Sequence, residues 1–220
     1  QTELNMSKLS KRIEKINKVI VYLTLSDVFS WGTYTIITAF TGLYLSQKLN
    51  KNAVQYVAIG TSIYFFTRAI FQIPIGRITD KLKGDKDEIL LLTLGILLMG
   101  FPFLFYSQIS APIHYFVLQF VFGLGTALNI TTWRKLFALN IQEGKEGREY
   151  ARYETVMSAL TGSLGIIGGT IASLGEAYFD KVITGAGVLI ILSSIWPIFI
   201  YNHKDRKSKV ENEQRNKKTF

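Results

Sequence analysis

Two residues of opposite charge, Asp27 and Arg68, sit inside otherwise apolar stretches of this chain. Within VIVYLTLSDVFSWGTY, a carboxylate can exchange a proton or bind a substrate; within TSIYFFTRAIFQIPI, a guanidinium can act as its counter-charge. A lone charge at the centre of a bilayer costs at least about 2.5 kcal/mol on the mildest scale, and pairing offsets much of that. Asp27 lies about eight residues, roughly 12 Å, into its stretch, and Arg68 about ten residues, roughly 15 Å, from the end of its own. These similar depths predict an Asp27–Arg68 contact, direct or through water. Two readings of it stand: a fixed pair that orients two helices, with Arg68 as its structural member, or a protonatable or substrate-binding Asp27.

Polar residues accompany both charges at helical spacing. Thr24, Asp27, Trp31, Tyr34, Thr38 and Thr41 follow one another at intervals of three or four and predict one continuous face. Thr61, Tyr64, Arg68 and Gln72 form a second face, and Gln119, Phe122, Thr126, Asn129 and Trp133 a third. Thr155, Ser158, Gly162, Gly165, Gly169 and Ser173 form a small-residue stripe, expected mainly to pack helices. The expected lining of a substrate or coupling cavity is therefore Asp27, Trp31, Tyr34, Tyr64, Arg68, Gln119, Thr126, Asn129 and Trp133. No HExxH, GxSG or metal-holding acidic cluster accompanies them, so an enzyme is not expected, nor a metal or a cofactor. Asp80, Asp85, Asp87 and Glu88 interleave with lysines, which suits a solvated loop. The chain has no Cys and only two His.

The elements that must carry these residues are apolar and long. Of 220 residues, 48% are hydrophobic, but the charge is concentrated at the ends and in a few short breaks. Six candidate helices, at about 19–46, 53–77, 88–107, 112–136, 152–176 and 182–202, reach the roughly 20 residues that cross a bilayer. Such runs must be helical, because lipid offers their backbone no hydrogen bonds. Of the 25 Lys and Arg, 21 fall on one side of this alternation, three on the other, and Arg68 within a span. That asymmetry predicts an all-α integral membrane protein with both termini cytoplasmic. Residues 1–18 are expected as an amphipathic lead-in, since Leu9, Ile13, Ile16 and Ile20 share one face of KLSKRIEKINKVI. Residues 19–202 form the six-helix domain and 203–220 a basic, disordered tail. The net charge of +9 follows topology rather than one patch, which argues against nucleic acid as a partner. The first and fourth spans are polar, the second and fifth flank them, and the third and sixth are lipid-like. This is the pattern of an inverted three-plus-three repeat.

The stretch Gly76-Arg77-Ile78-Thr79-Asp80-Lys81-Leu82-Lys83-Gly84 between the second and third spans resembles a loop motif of the major facilitator superfamily. That motif reads Gly, three residues, Asp, a basic residue, any residue and Gly; here the second Gly comes one residue later. LQFVFGLGTAL resembles the family's fourth helix, with Gly123 and Gly125 present and Gln119 where the family carries Arg. GSLGIIGG, residues 162–169, resembles the family's antiporter motif but lacks its Pro, so antiport is not implied. The resemblance covers about residues 19–202 and implies one six-helix half of a transporter. It implies that Asp80 docks at a helix start in the opposite half, with Arg77 and Lys81 answering Glu143, Glu146 or Glu149. Family members usually have twelve spans. The expectation is thus a homodimer of half-size subunits, or a fragment of a twelve-span protein. The function expected is movement of a small solute by alternating access, with a proton or cation as coupling ion. The alternative is a non-transporting membrane partner or assembly protein. Lys-, Ile- and Asn-rich usage points to a prokaryotic plasma membrane.

Overall fold

A computed structural model describes residues 17–49, 52–82, 85–175 and 177–202. These residues wind into six helical rods. The first comprises α1 (Lys18–Asp27), a π turn (Val28–Gly32) and α2 (Thr33–Leu49). The second is α3 (Ala53–Lys81). The third is α4 (Asp85–Gly100), tightening into a 3₁₀ segment over Phe101–Gln108. The fourth is α5 (Pro112–Asn140), the fifth α6 (Glu146–Ala172), and the sixth joins α7 (Ala177–Leu192) to α8 (195–202). Four helical stretches are long and apolar enough to cross a membrane: Lys86–Gln108, Pro112–Asn140, Glu146–Ala172 and Tyr178–Asn202. The two rods outside that set are the ones that carry Asp27 and Arg68, and polar residues dilute them.

α5 is the centre of the packing, wedged between α3 and α4, and Gly123 and Gly125 make this possible. A Cβ on Gly125 would lie 2.7 Å from the Met99 backbone nitrogen on α4, and one on Gly123 would lie 2.8 Å from the Tyr64 carbonyl on α3. The Gly-x-Gly pair therefore lets one helix approach two neighbours at backbone distance, which is how membrane helices gain contact without a hydrophobic driving force. α7 packs on α4 and the 3₁₀ segment. The core between the rods is aromatic: Phe122 meets Tyr34, Tyr64 and Phe103 with ring centroids 4.6 to 5.4 Å apart. At the opposite end from the charged connections, the Tyr44 hydroxyl donates to the Asp180 carboxylate at 2.5 Å, and Lys48 lies 3.7 Å from the same group.

The motif-bearing stretch differs from the expected turn. Gly76, Arg77, Asp80 and Lys81 continue α3 to its last residue, and the connection to α4 is confined to residues 82–84. Gly84 lies outside the described residues, as do residues 1–16 of the lead-in and the tail 203–220. The helix continues because its end is capped from another rod. Leu82 N–H reaches back to the Ile78 and Thr79 carbonyls, and the Lys135 ammonium of α5 donates to the Thr79 carbonyl at 2.5 Å. A cation suits a helix C-terminus, where the exposed carbonyls gather negative charge. The same ammonium pairs with Glu88, in the second turn of α4, at 2.7 Å. Glu88 is 5% exposed, so it is not a solvated loop acid; it is half of a buried knot that ties α3, α4 and α5 together. At the same end of the bundle, the Asn17 amide donates to the Asn140 carbonyl at 2.8 Å while its oxygen caps the Val19 N–H of α1.

Lys135→Met strands the buried Glu88 carboxylate and is expected to cost about 3 kcal/mol or more. The unfolding midpoint of detergent-purified protein checks this, and adding Glu88→Gln to the same variant should recover most of the loss.

Candidate functional site

Immediately after Asp27 the first rod widens into the π turn Val28–Gly32. Such one-turn expansions occur preferentially at functional sites, because the extra residue re-aims side chains on either side. The Ser30 hydroxyl steadies the turn by donating to the Ser26 carbonyl at 2.9 Å. The re-aiming divides what the spacing predicts as one face. Asp27, Trp31 and Thr35 line one cavity, while Tyr34, Thr38 and Thr41 line another.

The larger cavity, about 810 Å³, lies between the first rod, α5 and α6, with Arg68 reaching it from α3. Its wall is built from aromatic side chains that hold one another. Trp31 Nε1 donates to Asn129 Oδ1 at 3.1 Å, and Trp133 Nε1 donates to the Leu23 carbonyl at 3.1 Å. These two indoles fix the first rod against α5. α6 then supplies Tyr150, Tyr153, Glu154 and Met157. The Tyr153 ring packs on Trp133 at 4.9 Å, and its hydroxyl donates to the Asp27 carboxylate. Asp27 is 6% exposed, so that hydroxyl is the group that replaces water for a buried carboxylate. Arg134 and Glu154 add one charge of each sign to the same wall. Two polar atoms in the lining have no partner, the Asn129 Nδ2 and the Thr161 Oγ1. Leaving such a group buried and unbonded costs about 1–3 kcal/mol, and Thr161 Oγ1 is turned toward Gly32 of the π turn.

The smaller cavity, about 310 Å³, lies between α2, α3, the 3₁₀ segment and α5. Tyrosine and threonine dominate it. Gln119 Nε2 donates to the Tyr106 hydroxyl at 3.0 Å, and Arg68 Nη1 donates to the Tyr64 hydroxyl at 3.0 Å. Arg68 also lies over the Tyr64 and Phe65 rings, at 5.9 and 5.6 Å.

The expected contact between the two charges takes another form. Asp27 and Arg68 line one cavity, but the Asp27 carboxylate is engaged by Tyr153, and no carboxylate among the described residues comes within ion-pair reach of Arg68. Equal depth in two sequences does not fix the rotation of two helices, and the π turn directs Asp27 toward α6. Trp31, Asn129 and Trp133 join Asp27 in the larger cavity; Tyr34, Tyr64 and Gln119 fall in the smaller one, and Arg68 borders both. Thr126 lines neither and is fully buried in the helix packing. Tyr150, Tyr153, Glu154 and Met157 escape a reading that begins the fifth span at residue 152 and follows its small residues. Their spacing with Ser158 and Thr161, at three and four residues, is the signal that marks them. The glycine stripe of α6 packs on nothing among the described residues: a Cβ on Gly162, Gly165 or Gly169 would meet no atom within 4 Å. α6 is also the least covered of the four apolar helices, 11% buried against 39% to 50% for the others. Asp80, Arg77 and Lys81 are exposed and make no ion pair among the described residues. Of the acids expected to answer Arg77 and Lys81, Glu149 instead pairs with Arg152 at 3.4 Å, and Glu146 accepts from the Gly144 N–H at 3.0 Å.

The family model of the Major Facilitator Superfamily matches residues 23–220. No curated protein and no solved structure matches the chain.

Tyr153→Phe removes the donor that replaces water at Asp27 and is expected to lower stability by about 1–3 kcal/mol. Asp27→Asn, whose amide oxygen still accepts from Tyr153, should cost less. Thermal unfolding of the two variants side by side in one detergent checks the order.

Proposed function

Because the chain belongs to the Major Facilitator Superfamily, we propose that it moves a small solute across a membrane by alternating access, with Asp27 as the coupling group. It is a multi-pass membrane protein of a transporter family, and that family acts on small-molecule solutes. The observation that carries the finer reading is the cavity of about 810 Å³. A protein that only holds a partner has no need of a void beside a buried carboxylate. This void is within the size range of ligand sites, walled by aromatics with a few convergent polar groups, and bordered by Asp27. A carboxylate held by a single tyrosine hydroxyl in a non-aqueous wall is suited to exchange a proton or a cation as the wall moves.

The proposal extends to the arrangement. Six helical rods cross the membrane as an inverted three-plus-three repeat. Both ends lie at the cytoplasmic face, with residues 1–18 as an interfacial lead-in and 203–220 as a basic tail. The distribution of Lys and Arg, 21 of 25 on one side, supports this orientation. A prokaryotic plasma membrane is the setting proposed. A second six-helix body completes the path, either a second copy of this chain or the other half of a longer one. Two observations support it: the uncovered glycine stripe of α6, and the unanswered charges of Asp80, Arg77 and Lys81 at the end of α3. A carboxylate such as Asp80 gains most at the N-terminus of a helix, and the second body would supply that helix.

Reconstitution into proteoliposomes holding a pH-sensitive dye tests this, with native mass spectrometry of the same preparation. A panel of small cations, anions and sugars is offered from outside. The expected result is a dimer in which at least one solute class moves protons, with Asp27→Asn reducing that flux at least tenfold and Asp80→Ala slowing it. A dimer in which no solute moves protons, or in which the flux is untouched by Asp27→Asn, would contradict the proposal.

A further inference from the structure

We propose that Arg68 is the anchor for an anionic group, and that the smaller cavity takes a compact organic carboxylate. The inference rests on the transport reading and names the chemistry of its solute. The two cavities differ in charge balance. The larger one carries Asp27 and Glu154 against Arg134 and the edge of Arg68, so its charges balance and give an anion no net attraction. The smaller one carries no acid at all: Arg68 is the charged residue of its lining, among tyrosines, threonines and Gln119.

The hydrogen-bond directions sharpen this. Gln119 donates to the Tyr106 oxygen, and Arg68 donates to the Tyr64 oxygen. Each of those hydroxyls is thereby used as an acceptor and keeps its own hydrogen to donate. With the remaining N–H groups of the guanidinium, the wall presents donors and a positive charge, which is the complement of a carboxylate. Among the described residues no carboxylate pairs with Arg68 to give the counter-charge that a cation at this depth requires. A half-buried guanidinium held in place by Tyr64 and stacked near Phe65, yet with its charge unanswered, is arranged to receive an anion from outside the chain. The rest of the cavity sets the body of the ligand. Tyr34, Tyr115 and Phe65 line it with aromatic carbon, and a volume of about 310 Å³ admits a single ring with its substituents.

The test measures binding, not transport. Benzoate, benzylammonium and benzyl alcohol share one ring and differ in charge. Each is titrated against the purified full chain in detergent, by thermal unfolding and by equilibrium dialysis of the radiolabelled compound. Benzoate is expected to raise the unfolding midpoint and to bind at least tenfold more tightly than the other two. Arg68→Gln should abolish the benzoate shift. Arg68→Lys, which keeps the charge and loses the planar fork, should bind several-fold more weakly and covers the case in which the glutamine variant does not fold. Equal binding of benzoate by wild type and the Arg68 variants overturns the inference, as does preference for benzylammonium or absence of binding by all three. Intact benzoate binding without solute-linked proton flux would defeat the transport reading alone; intact flux without benzoate binding would defeat this inference alone.

Discussion

The hydrogen bond from the Tyr153 hydroxyl to the Asp27 carboxylate is the contact on which the polar side of the bundle depends. It joins the first rod to the fifth across a gap that no other side-chain hydrogen bond spans among the described residues. It also sits where a carboxylate is most costly, in a wall of aromatic rings with 6% of the residue exposed. The neighbouring contacts serve that position. Trp133 is bonded to the Leu23 carbonyl on one side of Asp27 and packs at a tilt against Tyr153 on the other. Trp31 is bonded to Asn129 one turn beyond. The π turn lies between the carboxylate and Trp31, at the place where the rod can rotate its two ends relative to each other.

The two ends of the bundle are held differently from its middle. At one end, Lys135 joins the last carbonyls of α3 to Glu88 of α4; at the other, Tyr44 and Lys48 meet Asp180. Between them, α5 lies at backbone distance from α3 and α4 through Gly123 and Gly125. These contacts tie together the five rods other than α6. α6 packs closely on the first rod, where Gly168 meets Ile36 and Thr161 meets Gly32, and reaches α5 through aromatic contacts near Asp27; its outer face is bare. A helix held along one side and bare on the other, beside a cavity, is the kind of construction that permits a wall to move without the fold coming apart.

Much of this arrangement is legible in the sequence, and the parts that are not share a physical cause. The rods themselves follow from apolar length, and the polar stripes on the first and fourth rods mark the residues that meet at the cavities. Periodicity reads a helix as a regular cylinder, so it cannot register the π turn that sends Asp27 and Tyr34 to different cavities. It gives depth but not rotation, so it pairs Asp27 with Arg68 rather than with Tyr153. Hydropathy ends a span where charge begins, yet α3, α5 and α6 all continue beyond that point. Arg77, Arg134 and Tyr150 are accordingly helical residues, with Arg134 and Tyr150 on the cavity wall, rather than loop residues. Glu88 reads as solvated because its partner, Lys135, is 47 positions away in the chain.

The central claim is that the space between the first rod, α5 and α6 is a water-filled path and not a gap closed by lipid. The chain has no native cysteine, so single cysteines report without background. Ser158 lines that space, while Leu97 lies on α4 facing away from the cavities. Ser158→Cys and Leu97→Cys, each treated in membranes with a charged maleimide that cannot enter lipid, give the most direct reading. The account predicts rapid labelling at position 158 and at least tenfold slower labelling at position 97. Equal protection of both positions would contradict it.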